Sequence, residues 1–261
     1  MDELGTFPFG EPVRRVEQSD RSRKHVFVLG VYASSVHARW VGADGKQVVG
    51  ALAVASEPAI FWKGDGAAAI IDRIEVPEAV GRLQPAARNL NGPSGRALDT
   101  HYLDPLGVGR ANSWLCDLVP YAGRNPKQAA AIERAYEPLR ERHRLPPATF
   151  EPPPKRFADD ARRAEVLAEL IESKAEVVVL LGDQPLRWFL RAYVPQRSKL
   201  SDFGSGKAEY GSLHDVDLAG HRVRILPVAH PRQAGALGAH SGAWRSAHEH
   251  WVSEVAPDLI G

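Results

Sequence analysis

The sequence predicts an α/β fold with three layers, α/β/α, around a central four-stranded, mainly parallel sheet. Short apolar runs that end at Gly or Pro are typical of strands covered on both faces. Helical patterns lie between these runs, and such alternation implies parallel strands joined by helical crossovers. With 261 residues, 44% of them hydrophobic, the chain can bury a sizeable core. We therefore expect a single domain over residues 1–261, in which residues 1–24 form a solvated N-terminal arm.

Four segments carry the strand pattern, since each is mostly apolar and often β-branched. They are residues 24–30, 113–120, 176–182 and 223–229. A weaker strand is predicted over residues 46–55. Helical spacing of apolar residues predicts helices over residues 126–144, 159–173, 184–193 and 241–255. Residues 91–96, with the sequence Asn-Gly-Pro-Ser-Gly-Arg, predict an exposed turn.

Composition excludes several classes of protein. The 33 Lys and Arg residues balance 32 Asp and Glu residues, so a nucleic-acid site would have to come from local basic loops. Cys116 is the one cysteine, which excludes a disulfide framework within the chain and a Cys-ligated cluster. No apolar run approaches about 18 residues, and the first residues are polar and acidic. We expect a soluble, cytoplasmic protein.

The chemically distinctive residues follow the predicted strands. Ligands of a parallel sheet bind beyond the carboxyl ends of its strands, so these residues should collect at one edge. They are Gly30 to Ser35 after the first strand, Asp117 on the second, Gly182 after the third and His230-Pro231-Arg232 after the fourth.

The order of these segments resembles the uracil-DNA glycosylase superfamily. Four segments carry the resemblance: Gly30-Val31-Tyr32-Ala33-Ser34, Leu115 to Pro120, Val178 to Gly182, and Pro227-Val228-Ala229-His230-Pro231-Arg232. They correspond to the first-strand motif, the base-reading strand, the strand ending in Leu-Gly and the His-Pro motif. The resemblance extends from about Lys24 to Trp251 and is somewhat closer to the single-strand-selective branch.

The resemblance implies a DNA repair enzyme that flips a deaminated base into a pocket and hydrolyses its N-glycosidic bond. His230 matches the family histidine that stabilises negative charge on the departing base. Tyr32 stands where the family has a water-activating carboxylate or amide, and tyrosine is a poor base because its pKa is about 10. Asp117 or Glu57 could supply that carboxylate instead, or catalysis could rest mainly on His230.

Asp117 stands where the family has an asparagine that reads uracil. An amide donates to uracil O4 and accepts from N3–H, whereas an ionised carboxylate only accepts. A buried Asp117 with a raised pKa would be protonated and would mimic the amide. Hypoxanthine and xanthine also present a carbonyl beside an N–H, so they are further candidate substrates.

The same resemblance implies roles for other residues. Base binding would involve Gly30, Ser34, Ser35, Phe61 and Trp62, and DNA binding would involve Arg232, Gln233 and Leu237. Structural alternatives remain open at this point. The two serines could cap a helix, the two aromatic residues could belong to the core, and Asp117 could cap a helix. His230 could make an ordinary hydrogen bond, and residues 232–238 could be a plain surface loop.

Three functions are compatible with these patterns. The first is a monofunctional glycosylase whose partner is DNA containing deaminated bases; the resemblance implies a monomer that needs no metal or cofactor. The alternative is a non-catalytic or weakly catalytic binder of damaged or abasic DNA on the same fold. A third is a small-molecule N-ribosyl hydrolase. Both DNA functions need a phosphate track, which Arg187, Arg191, Arg197, Lys199 and Arg245 could frame.

Overall fold

The computed structural model describes residues 4–204, 206–231 and 242–260. The chain divides into two compact units. The small-sheet unit contains Met1–Val16, Tyr32–Gly95 and Pro120–Pro154, and the large-sheet unit contains Glu17–Val31, Arg96–Val119 and Lys155–Gly261. The organisation of the chain as a single domain stays a prediction.

The described residues contain strands and helices that alternate along much of the chain. The strands are β1 (Val26–Tyr32), β2 (Ser35–Val41), β3 (Gln47–Ser56), β4 (Arg82–Pro85), β5 (Ser113–Val119), β6 (Val177–Leu181), β7 (His214–Leu218) and β8 (His221–Val228). The α-helices are α1 (Ala67–Ile71), α2 (Pro93–Leu98), α3 (Pro126–Ala131), α4 (Glu137–His143), α5 (Asp160–Ser173), α6 (Asp183–Trp188) and α7 (Gly242–Glu254). Two π-helical turns, Asp99–Leu103 and Ile132–Tyr136, supplement them.

The large-sheet unit confirms the predicted α/β fold class. Its sheet has the strand order β5-β1-β6-β8-β7, so the four strands predicted from sequence are neighbours. β1 pairs with β6 and β6 pairs with β8, both in parallel. Every residue of β5 and β6 is buried, as expected for strands covered on both faces. Parallel pairing therefore brings the ends of β1, β6 and β8 to one edge.

The fifth strand of this sheet, β7, was missed from the sequence. Its residues, His-Asp-Val-Asp-Leu, alternate between partly exposed and exposed positions until the buried Leu218, so no continuous apolar run marks it. It pairs antiparallel with β8, opposing Asp215 to Arg224 and Asp217 to Arg222. Directly opposed unlike charges favour such an edge pairing.

The small-sheet unit contains an antiparallel sheet of order β3-β2-β4. The predicted weak strand over residues 46–55 is β3, whereas β2 and β4 were missed. The N-terminal segment is not a solvated arm from residue 4 onward, because Phe7 and Phe9 belong to the core of this unit. The Phe9 ring lies 5.3 Å from that of Trp40 and 5.1 Å from that of Tyr136, both edge-on. Burial of these aromatic rings therefore explains why the N-terminal segment is packed against the core and not solvated.

The predicted helices occur close to their expected bounds. α5 begins after Asp159, whose carboxylate accepts the Arg162 backbone N–H, and ends at Ser173. The helix predicted over residues 126–144 is α3 and α4 joined by a π-helical turn. Within the described residues, no helix is long and apolar enough to cross a membrane.

The turn predicted as exposed at residues 91–96 is not exposed at its start. Asn91 is buried, accepts the His37 backbone N–H at 2.7 Å and donates to the His37 carbonyl at 2.9 Å. Its side-chain amide thus extends the pairing of β2 beyond the short β4. Helix α2 then begins at Pro93. The residues that suggested a turn therefore pair with the strand and start a helix.

The edge of β3 is bonded in a similar way by the buried Gln128 of α3. Its amide oxygen accepts the Ala53 N–H at 2.8 Å, and its amide nitrogen donates to the Ala51 carbonyl at 3.0 Å. We expect Gln128→Ala to lower the free energy of unfolding by about 1–3 kcal/mol, because a buried N–H loses its acceptor. Urea unfolding measures this effect. The exposed Gln47→Ala on the same strand is the control, and an equal loss in both variants would contradict the role of Gln128.

Candidate active site

The carboxyl edge of the large sheet brings together four residues that the sequence places after its strands. Gly30 lies in β1, Asp117 in β5, Gly182 directly after β6 and His230 two residues after β8. Neighbouring strands lie about 4.8 Å apart, so β5 and β8 are separated by about 14 Å.

Asp117 is the one acidic residue among the buried residues of β5. It is 3% exposed, and none of the residues that the structure describes donates a hydrogen bond to its carboxyl group. Burial raises the pKa of Asp117 to about 7, although the positive charge of Arg162 lowers it. The side chain is therefore substantially protonated at neutral pH and offers both a donor and an acceptor. The proposed use of Asp117 as a helix cap is not seen among the described residues.

The end of β5 is held by Arg162 of α5. Its guanidinium donates to the backbone oxygen of Asp117 at 2.8 Å from Nη2, and to that of Leu118 at 3.1 Å from Nε. The same group forms an ion pair with Glu169 at 3.3 Å. Because Arg162 binds the backbone of Asp117 and leaves its carboxyl unbonded, it positions this residue without neutralising it.

His230 is partly exposed and follows the fully buried Ala229. Gly182 bounds one side of it, because a Cβ atom built on Gly182 would lie 2.9 Å from the His230 Cβ. Gly182 also has a φ of +84°, which favours glycine, and its N–H donates to the Val228 carbonyl at 2.8 Å. Glycine at this position therefore lets the chain at His230, after β8, lie close to the end of β6.

Two serines and a glutamate lie at the start of the small sheet. Ser34 donates its backbone N–H to Glu57 Oε1 at 2.9 Å, and Glu57 is buried. Ser35 is the first residue of β2, so the alternative that the serines cap a helix is wrong. Tyr32, the last residue of β1, is 46% exposed. A carboxylate directly after β3 therefore accepts a hydrogen bond from the first-strand motif, to which it does not belong.

The two aromatic residues implied in base binding are both buried. Trp62 belongs to the core of the small-sheet unit, and its indole N–H donates to the Asp65 carbonyl at 2.8 Å. Phe61 is 8% exposed and has a φ of +52°, an uncommon conformation for a bulky residue. A Cβ atom on Gly95 would lie 2.1 Å from the Phe61 carbonyl oxygen, so only glycine permits this approach. Strained backbone of this kind is concentrated at functional sites.

The residues implied in DNA wedging lie outside the described residues. They are Arg232, Gln233 and Leu237. Of the basic residues of the predicted phosphate track, Arg197 stacks over the Phe203 ring at 4.7 Å and Arg245 pairs with Glu249. Arg187, Arg191 and Lys199 are exposed and have no ion-pair partner among the described residues. The residues that the structure describes contain no cluster of three or more His, Cys, Asp or Glu side chains suited to a metal ion.

Sequence reasoning missed the residues that support this edge. Arg162 lies in a helix with ordinary amphipathic spacing, and no local signal relates it to Asp117. The same is true of Tyr102, Tyr210 and His248, whose hydroxyl and ring groups bond near His230 from distant parts of the chain. A Leu-Leu-Gly strand end did indicate Gly182, but not its contact with the imidazole.

We expect Gly182→Ala to displace His230 and to lower the free energy of unfolding by about 1–3 kcal/mol, because the new methyl group meets the histidine in a strained backbone. Gly220→Ala is the matched control, since Gly220 has a φ of +88° but open space around it. NMR spectra of the His230 ring and urea unfolding measure the two effects. Unchanged ring resonances in Gly182→Ala would contradict the contact.

The raised pKa of Asp117 predicts a pH-dependent stability. The folded state holds its proton up to about pH 7, whereas the unfolded state loses it near pH 4, so this stabilising contribution is present below pH 4 and is lost as the pH rises through 7. Relative to Asp117→Asn, the wild type should lose about 3–4 kcal/mol between pH 4 and pH 8. Urea unfolding of both proteins across this range measures the difference. A constant difference would show that Asp117 titrates normally.

In comparisons with known proteins, no family model matches the chain, and no curated protein matches it significantly.

Proposed function

We propose that the protein is a DNA repair glycosylase that hydrolyses the N-glycosidic bond of uracil, with hypoxanthine and xanthine as further candidate bases. One observation supports the proposal: Asp117, whose side chain is buried in a strand of the sheet that His230 follows, receives no hydrogen bond to its carboxyl group from the described residues. A buried polar group without a partner is costly. A bound base that supplies both a donor and an acceptor would remove this cost.

The neutral form of Asp117 matches the hydrogen-bonding edge of the proposed bases. Its O–H would donate to uracil O4, and its carbonyl oxygen would accept from N3–H. Hypoxanthine and xanthine present a carbonyl beside an N–H in the same way. An ionised Asp117 would repel O4, so the raised pKa supports recognition of these bases near neutral pH.

His230 would act when the glycosidic bond breaks. The bonding electron pair moves onto the base, and negative charge develops at N1 and O2. A positioned imidazole N–H would stabilise that charge where it forms. Water adds to C1′ and loses a proton, so the products are the free base and an abasic sugar.

The phosphate contacts would come from the exposed Arg187, Arg191 and Lys199. A cytoplasmic, monomeric state belongs to the same proposal.

A non-catalytic binder of damaged or abasic DNA is the second candidate function. One observation favours it: Tyr32, which is 46% exposed, stands at the position where the family has its water-activating residue. Binding without turnover would need the same base-reading and phosphate contacts but no activated water.

The test uses labelled single- and double-stranded oligonucleotides that carry one uracil, hypoxanthine or xanthine, with alkali to reveal abasic sites. We expect the wild type to release base, and His230→Ala to lower the single-turnover rate by about 10² to 10³, because one donor to the developing anion is lost. Asp117→Asn should retain release of uracil, since an amide has the same donor and acceptor pattern.

His221→Ala is the matched control, because His221 lies at the other end of β8. Release that is equal in His230→Ala and the wild type would refute the assigned role. Salt-sensitive binding without release would favour the damage binder, since phosphate contacts weaken with salt. If the protein showed neither base release nor DNA binding, a small-molecule N-ribosyl hydrolase would be the function to test.

A further inference from the structure

The peptide groups directly before His230 are held by two tyrosine hydroxyls. The Ala229 N–H donates to the Tyr210 hydroxyl at 2.8 Å. The Ala229 carbonyl, which belongs to the peptide bond with His230, accepts from the Tyr102 hydroxyl at 2.5 Å. Ala229 and Tyr102 are fully buried and Tyr210 is 2% exposed, so these bonds are shielded from water. Both ends of Ala229 are therefore fixed where the chain leaves β8.

A buried histidine continues this arrangement. His248 Nδ1 lies 2.7 Å from the Tyr210 hydroxyl, and its Nε2 lies 2.9 Å from the His101 carbonyl oxygen. A carbonyl only accepts, so Nε2 carries the proton and Nδ1 is the acceptor in the neutral ring. Burial lowers the pKa of His248 to about 4, which keeps the ring neutral at physiological pH. Tyr210 can then donate to Nδ1 while it accepts from Ala229.

The His101 carbonyl is available because of a proline. In an α-helix it would accept the N–H of residue 105, but Pro105 has none. His101 lies instead in the π-helical turn Asp99–Leu103, and the Leu106 N–H donates to the Tyr102 carbonyl at 3.2 Å. The neighbouring residues His101 and Tyr102 therefore bond to the same network at two points: the His101 carbonyl bonds to His248, and the Tyr102 hydroxyl bonds to Ala229. π-helical turns are often found at functional sites.

We infer that Tyr102, Tyr210 and His248 form a hydrogen-bonded relay that positions His230 for the reaction. This inference rests on the proposed function, because it assigns these residues to the placement of the histidine proposed to stabilise the departing base. They are positioning residues, since their bonds reach the backbone before His230. Gly182, directly after β6, lies against the Cβ and backbone of His230, so the relay and this close approach together restrict where the histidine side chain begins.

The test compares three Tyr→Phe variants. Tyr210→Phe and Tyr102→Phe each remove one bond to Ala229. Tyr136→Phe is the matched control, because the Tyr136 hydroxyl also accepts a backbone N–H, from Phe9 at 2.9 Å, and donates to a carbonyl, that of Pro146 at 2.7 Å. This control lies in the small-sheet unit. It therefore reproduces the structural loss without touching the relay.

We expect Tyr210→Phe and Tyr102→Phe to lower the single-turnover rate of base release by about tenfold or more. The Kd for DNA should stay within about twofold, because misplacing His230 affects the reaction step more than the binding of DNA. Tyr136→Phe should leave the rate unchanged. Equal rate losses in all three variants would mean that these hydroxyls contribute only to general stability, and this result would overturn the inference. Rates equal to the wild type in both relay variants would also overturn it.

A second measurement does not depend on activity. The NMR resonances of the His230 ring, assigned by their loss in His230→Ala, should shift in Tyr210→Phe and in Tyr102→Phe but not in Tyr136→Phe. If the wild type released no base, the proposed function would fail, and these spectra would still test the relay. Unshifted His230 resonances in both relay variants would overturn the inference, even if the enzyme were active. Should one relay variant fail to fold, the other still tests the inference.

Discussion

Parallel pairing of strands buried on both faces is the constraint on which the rest of this structure depends. β1, β6 and β8 run in the same direction, so their carboxyl ends lie at one edge. Residues far apart in the chain, such as Gly30 and His230, consequently lie near the same edge of the sheet. The candidate site is thus a consequence of strand direction before it is one of particular side chains.

At the end of β5, a buried carboxyl lowers the stability of the fold. Asp117 lies in a fully buried strand where an apolar residue would be less costly, and the structure bonds its backbone while leaving its carboxyl unbonded. The nearby Arg162 does not bond this carboxyl. Its hydrogen bonds go to two carbonyl oxygens, to the Cys116 sulfur and to the carboxylates of Glu165 and Glu169. Burial raises the pKa of this carboxyl to about 7, so a substantial fraction is protonated at neutral pH and can act as a hydrogen-bond donor. This combination is more useful to a binding site than to a core.

The histidine at the same edge shows how distant residues produce a local geometry. Two tyrosines, one buried histidine and one glycine surround a short stretch of chain that has no secondary structure of its own. Each buried donor in this network has an acceptor, which is the condition for a rigid polar cluster within a core. Rigidity of this kind suits a group that must meet charge at a defined position.

The sequence by itself determined the fold class, the four central strands and most long helices, because continuous apolar runs and helical spacing are local signals. It also placed Asp117 and His230 at strand ends. It did not reveal β7, whose alternating charges mark an edge, or the burial of Asn91, whose side chain replaces a strand. Only the tertiary structure decided that Asp117 lacks a partner, that Gly182 touches His230 and that Pro105 frees a carbonyl for His248. These features depend on contacts between residues distant in the chain, which no local pattern encodes.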